Sequence, residues 1–62
     1  MKLFRFGARG REWPGVFGPA GDMIDASAFG EDWDERFFGS DGLARLGAWL
    51  AKNANDPKVL LP

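Results

Sequence analysis

The fold of this chain is decided by residues 1–27, MKLFRFGARGREWPGVFGPAGDMIDAS. Apolar and β-favouring runs at 2–6, 14–17 and 23–25 are separated by clusters of Gly, Pro, Arg and Asp, which are typical of turns. The segment 18–22, GPAGD, is the stronger turn signal, because proline restricts one backbone angle and glycine accepts positive ones. The pattern therefore predicts three short strands joined as an antiparallel meander.

The first predicted strand carries apolar side chains on both of its faces. Side chains alternate along a strand, so Phe4 and Phe6 share one face while Leu3 and Arg5 point to the other. This arrangement fits a strand that is covered by helices on one side and partly covered on the other.

Pro14 constrains the second strand, because proline has no backbone N–H to donate to a neighbouring strand. We therefore expect strand 14–17 to lie at an edge of the sheet, or its pairing to begin only at Gly15.

Two helices are predicted after the sheet. Asp32, followed three residues later by Glu35, resembles a capping box and predicts a short helix over 33–38. We expect this helix to end at Gly39 in a left-handed conformation.

The second helix, predicted over 42–52, shows the clearer periodicity. Ser40 or Asp41 is expected to cap it, and its apolar stripe contains Leu43, Leu46, Gly47 and Leu50. With both helices packed on one face of the meander, the fold class is α+β.

Composition limits the function classes. Sixty-two residues form one small domain, and a domain of this size buries only about 60% of the surface that its unfolded chain exposes. The chain has no cysteine and no histidine, so it offers neither disulfides nor thiolate or imidazole metal ligands. Its net charge is −1, and no apolar run approaches the roughly 20 residues of a membrane-spanning helix. We expect a soluble, cytoplasmic protein with neither a nucleic-acid nor a membrane partner.

Nine aromatic residues are a large apolar load for so short a chain. Trp13, Trp33 and Trp49 either enlarge the core or face a partner, since tryptophan is enriched at interfaces. Arg5 is a fourth partner-facing candidate, because its aliphatic stem can lie on an aromatic surface while the guanidinium stays in water.

The residues themselves predict no catalytic, cofactor-binding or metal-binding position. One carboxylate cluster is present, and helix capping and solvation explain its members: Asp32, Asp34, Glu35 and Asp41. Arg5, Arg9 and Arg11 lie near aromatic residues, as in single-strand nucleic-acid platforms. The acidic remainder of the chain argues against that interpretation.

A series of motifs resembles the N-terminal domain of fumarylacetoacetate hydrolase-family proteins, most of all the branch of ureidoglycolate lyases and diketo-deoxy sugar acid hydrolases. In order along the chain they are Met1-Lys2-Leu3-Phe4-Arg5-Phe6-Gly7, Gly10, Pro14-Gly15-Val16, Asp25-Ala26-Ser27-Ala28 and Asp41-Gly42-Leu43-Ala44-Arg45-Leu46. The likeness spans the chain through Leu46. Trp13 departs from it, since relatives commonly carry lysine there, and so does the aromatic middle segment with Trp33, Phe37 and Phe38.

The resemblance implies a small accessory domain that precedes a larger, β-rich catalytic domain. In that family the larger domain holds Mg²⁺ or Mn²⁺ and acts as a hydrolase, lyase or isomerase on 2-oxo or dicarbonyl acids. None of its catalytic or metal-binding residues can be carried onto this sequence, so the chain alone is expected to be inactive.

Two interpretations of the chain's partner stay open. In the first, residues 1–62 are an accessory domain, and 53–62 form a tail or linker toward a catalytic domain that the sequence does not contain. In the second, the chain is a free-standing interaction or dimerisation module that forms a homo-oligomer. The apolar tail 58–62 either leads into a further domain or docks on the chain's own sheet.

Overall fold

The computed structural model of the chain describes residues 2–56 and 58–61. These residues form β1 (Leu3–Phe6), β2 (Trp13–Phe17), β3 (Met23–Asp25), a 3-10 turn (Ser27–Phe29), α1 (Glu35–Gly39) and α2 (Gly42–Asn53). The strands make one antiparallel sheet in the order β1-β2-β3. The predicted α+β fold, a three-stranded meander followed by two helices, is confirmed.

The core lies on one face of the sheet. Val16 and Ile24 pair directly across β2 and β3, and each is at most 1% exposed. The same buried cluster contains Phe37 from α1 and Leu46 and Leu50 from α2. Both helices therefore cover the same face, as the alternation along the strands indicates.

Pro14 lies in the central strand, so the predicted edge position is wrong. It pairs with Arg5 of β1, and its carbonyl accepts the N–H of Ala26 at 2.9 Å, just beyond β3. The nitrogen and carbonyl of a strand residue point to the same side, so the missing donor of Pro14 faces Ala26 as well. The carbonyl of Ala26 accepts the N–H of Phe29 at 3.0 Å instead. Proline is tolerated here because the acceptor opposite it is already used.

The first helix begins two residues later than the sequence pattern predicts. Asp34, rather than Asp32, is its N-cap, because the Asp34 carboxylate accepts the N–H of Phe37 at 3.0 Å. The Asp32 carboxylate accepts the N–H of Trp33 at 2.8 Å. Either aspartate satisfies the preference for an N-cap, so local sequence alone did not distinguish them.

The junction between α1 and α2 is left-handed at Asp41, with φ of 62°. The prediction placed that conformation at Gly39, which instead lies inside α1. Of the two predicted caps, Ser40 and Asp41, the N-cap residue of α2 is Asp41, and its side chain makes no capping hydrogen bond. This tight junction brings Gly42 against Phe37, where an added Cβ would overlap the carbonyl oxygen and the ring of Phe37.

The buried stripe of α2 contains Leu46 and Leu50, as predicted, but Gly42 takes the place predicted for Leu43. Gly42, Leu46 and Leu50 are buried, whereas Leu43 is 48% exposed. Residues four apart lie on one helix face, so the close contact at Gly42 brings Leu46 and Leu50 to the core and turns Leu43 outward.

Residues 58–61 lie along the edge of β3. The N–H of Asp25 donates to the carbonyl of Val59 at 2.7 Å, and the N–H of Leu61 donates to the carbonyl of Met23 at 2.9 Å. Val59 is only 9% exposed and joins the core cluster. Of the two alternatives for the tail, docking on the chain's own sheet is observed for 58–61. Pro62, which the predicted tail included, lies outside the described residues.

Two glycines of α2 are expected to respond in opposite directions to alanine. Gly42→Ala should lower the free energy of unfolding by about 1–3 kcal/mol, because the new methyl group overpacks against Phe37. Gly47→Ala is the matched control, since a Cβ there meets nothing within 4 Å, and it should raise stability by up to about 1 kcal/mol. Urea unfolding followed by tryptophan fluorescence measures both. Equal effects would contradict the close contact at Gly42.

Candidate functional site

Trp33 connects the helical layer to the sheet through hydrogen bonds. Its indole N–H donates to the carbonyl oxygens of Phe4 at 2.9 Å and Gly15 at 3.1 Å, and these residues pair across β1 and β2. The Trp33 ring is half-buried, with its centroid 4.7 Å from that of Phe37. These contacts give Trp33 a structural role within the chain.

Arg5, on β1, contacts the segment that contains Asp32 and Trp33. Its Nη2 donates to the carbonyl of Trp33 at 2.8 Å, and its Nε lies 3.4 Å from the Asp32 carboxylate. The Arg5 side chain leaves the sheet on the helical face, whereas Phe4 and Phe6 point to the opposite face. Arg5 is therefore separated from the two aromatic rings with which a nucleic-acid platform would combine it.

The other two tryptophans lie on different sides of the sheet. Trp49, on α2, is half-buried and packs at the border of the core, with its ring centroid 5.9 Å from that of Phe29. Trp13, at the start of β2, is 54% exposed. Of the four residues predicted to face a partner, Trp13 alone points away from the helices.

Trp13 belongs to a larger apolar surface, which we call the outer face. It is the side of the sheet turned away from the helices, and the strand register assigns it Phe4, Phe6, Trp13, Gly15, Phe17, Met23 and Asp25. Asp25 is the single charged residue among them. The Phe4 ring covers Gly15, and its centroid lies 4.9 Å from that of Phe17.

The outer face is open to solvent. Met23 is 41% exposed and Phe17 is 37% exposed, and neither belongs to the core cluster or packs against it. Contiguous exposed apolar side chains are typical of interaction sites. The outer face is therefore the candidate functional site.

Sequence reasoning found one residue of this surface and missed the others. The signal that could have found them is the alternation along β1 and β2, which places Phe4 and Phe17 on the same side. With β2 assigned to an edge, the proximity of Phe4 and Phe17 could not be predicted, because the register decides which residues of two strands lie side by side.

A cleft of about 360 Å³ borders the outer face, lined by Lys2, Phe17, Gly18, Pro19 and Leu50. Apart from the Lys2 ammonium, its lining side chains are apolar. No sequence pattern predicts this cleft, because the turn between β2 and β3 meets α2 only in the folded chain.

The acidic side chains are dispersed along the surface. Among residues 2–56 and 58–61, no group of three or more His, Cys, Asp or Glu side chains is placed to hold a metal ion. Asp34 caps α1, and Asp32 pairs with Arg5. Within the same part of the chain, no helix has the length and apolar character needed to cross a membrane.

Comparison of the chain with protein-family models, curated proteins and solved structures gave no match. The resemblance to the N-terminal domain of fumarylacetoacetate hydrolase-family proteins therefore rests on its motifs alone.

The role of Trp33 can be tested by removing its donor while keeping an aromatic ring. Trp33→Phe should lower the free energy of unfolding by about 1 kcal/mol more than Trp49→Phe, since a hydrogen bond contributes about that much. Trp49 is the matched control because, within the described part of the chain, its indole N–H donates no hydrogen bond. Thermal unfolding measures the difference. Equal losses would contradict the role of the indole donor.

Glu31 and Arg45 form an ion pair that joins the loop before α1 to α2. Arg45 Nε donates to Glu31 Oε2 at 2.9 Å, and Nη2 donates to Oε1 at 2.6 Å. The hydrogen bonds from Arg45 hold the pKa of the Glu31 carboxyl below its ordinary value.

This pair is expected to make stability depend on pH in the acid range. Because the Glu31 pKa is lower in the folded chain, the pair stabilises the fold above the unfolded pKa, and that contribution is lost as pH falls through the folded pKa. Arg45→Gln should raise the Glu31 pKa toward its ordinary value. NMR titration of the carboxyl carbon measures this, and an unchanged pKa would show that Arg45 does not cause the shift.

Proposed function

We propose that this chain is a non-catalytic accessory domain that docks on a larger domain through the outer face of its sheet. One observation carries the proposal: the helices bury one face of the sheet, while the other presents Trp13, Phe17 and Met23 to solvent. Apolar sheet faces are stabilised by packing against another layer. Burying such a surface contributes roughly 25 cal/mol for each Å² removed from water.

The motifs of the sequence support a specific identity for that larger domain. Their resemblance to fumarylacetoacetate hydrolase-family proteins favours the catalytic domain of a hydrolase or lyase that acts on 2-oxo or dicarbonyl acids. In such an enzyme, Mg²⁺ or Mn²⁺ and the catalytic residues belong to the larger domain. The accessory domain supplies packing and shapes the entrance to the active site, and the cytoplasm is the compartment that we propose for the whole protein.

The position of Trp13 supports a docking role over a purely internal one. Trp13 is more than half exposed, although a side chain of this size contributes most when it is buried. Tryptophan is enriched among the interface residues whose truncation weakens binding most. Trp13 is therefore the residue expected to contribute most to docking.

The proposal predicts that binding depends on Trp13. The full chain is titrated, by calorimetry, against a fumarylacetoacetate hydrolase-family catalytic domain from which its own N-terminal domain has been removed. Trp13→Ser should weaken binding at least about tenfold, since interface tryptophans commonly contribute 2 kcal/mol or more. The expected effect follows from losing a large apolar contact at the outer face.

Phe38→Ser is the matched control for this experiment. Phe38 is 55% exposed, close to the 54% of Trp13, but it lies on α1 on the helical side of the sheet. Its replacement should leave the affinity unchanged. Absence of binding by the unaltered chain, or equal losses from the two variants, would overturn the proposal. Self-association without binding to the catalytic domain would favour the dimerisation module.

A further inference from the structure

The two edges of the sheet differ in how they are covered. Residues 58–61 bond to the outer edge of β3 through Met23 and Asp25. At the opposite edge, no strand in the described ranges 2–56 and 58–61 lies beside β1 except β2. The chain therefore covers one edge of its sheet with its own backbone and leaves the β1 edge open.

The hydrogen-bond pattern shows which backbone groups occupy the open edge. The N–H of Phe17 donates to the carbonyl of Lys2 at 3.0 Å. Backbone groups alternate sides along a strand, so Phe4 and Phe6 also direct theirs toward β2. Leu3 and Arg5 direct their N–H and carbonyl groups in the plane of the sheet, away from β2 and toward the open edge. Unpaired groups of this kind are a template for another strand.

A charged side chain often blocks such an edge, but Arg5 is held elsewhere. Its guanidinium bonds to the Trp33 carbonyl and lies beside the Asp32 carboxylate. These contacts draw the Arg5 side chain beneath the helical face of the sheet. The backbone of the β1 edge is thereby left accessible.

We propose that two copies of this chain pair through their β1 edges, antiparallel, about a two-fold axis at Phe4. In this register Leu3 of each copy lies opposite Arg5 of the other, and their outward backbone groups exchange hydrogen bonds. An axis at Arg5 would set two like charges opposite each other, and an axis at Leu3 would leave Phe6 unpaired. The register centred on Phe4 avoids both.

This register also joins the side chains of the outer face. The two Phe4 residues face each other at the axis, where opposite residues of a non-hydrogen-bonded pair approach most closely, and each Phe4 ring stays over Gly15 of its own copy. Lys2 lies opposite Phe6 of the other copy, which places an ammonium near an aromatic ring. The two outer faces become one continuous apolar surface on a six-stranded sheet.

The pairing closes at two copies. Residues 58–61 lie beside β3 at both ends of the six-stranded sheet, so neither β3 edge is open to a third copy. Two-fold pairing of one surface with itself is the commonest route to a closed assembly. The inference goes beyond the proposed docking on a larger domain, because the β1 edge pairs whether or not the outer face is covered.

Sedimentation equilibrium of the full chain, from micromolar to millimolar concentration, tests the inference. The mass should rise from one chain to two and no further. Arg5→Pro removes one outward N–H that β2 does not use, and it should abolish the two-chain species. Arg5→Ala is the matched control, because it removes the same side chain, keeps the N–H and should still dimerise.

Three outcomes of this experiment would overturn the inference. They are a one-chain mass at every concentration, a mass that grows beyond two chains, and dimerisation of Arg5→Pro equal to that of Arg5→Ala. Binding to a catalytic domain is measured separately, so failure of the docking proposal would be seen independently of this result.

Cysteine variants give a second readout that does not require Arg5→Pro to fold. The chain has no cysteine of its own, so Phe4→Cys introduces one thiol at the proposed axis. Mild oxidation should convert it to a disulfide-linked dimer, because the two sulfurs lie opposite each other. Phe6→Cys, on the same strand and face, lies opposite Lys2 and should stay monomeric on a denaturing gel. Equal cross-linking of the two variants would overturn the register.

Discussion

The hydrogen bonds from the Trp33 indole to the carbonyls of Phe4 and Gly15 are the interaction on which the rest of the structure depends. A carbonyl oxygen has two lone pairs, so each of these groups can serve the sheet and accept the indole N–H as well. Arg5 fastens the same segment through the Trp33 carbonyl. The chain is thereby directed across the sheet, and α1 and α2 follow over Val16 and Ile24.

The small size of the chain explains why its two sheet faces differ. Two helices, the longer of 12 residues, are enough to cover one face of three short strands. Within residues 2–56 and 58–61, no further helix or strand covers the other face, although Phe4, Phe17 and Trp13 make it apolar. The Trp33 hydrogen bonds that hold the helices over one face of the sheet therefore also leave the aromatic side chains of the other face in solvent.

The outer face and the β1 edge offer different chemistry to different partners. The outer face presents aromatic rings and matches another apolar layer, which the proposed larger domain would provide. The β1 edge presents backbone donors and acceptors, and another strand complements it best. Pairing at the edge enlarges the apolar surface without covering it, so the two proposals are compatible in one assembly.

Local sequence by itself determined the number of strands, their meander, the turn near Gly18 and the longer helix, because these depend on alternation, turn residues and helical spacing between near neighbours. Tertiary structure decided the rest. Asp34 rather than Asp32 caps α1, and Pro14 is tolerated at the centre of the sheet, because each depends on which distant groups are already hydrogen-bonded. Of the candidate site, the sequence identified Trp13 alone. The other members required the strand register, and the role of Trp33 required contacts with residues 18 and 29 positions away, which no local pattern records.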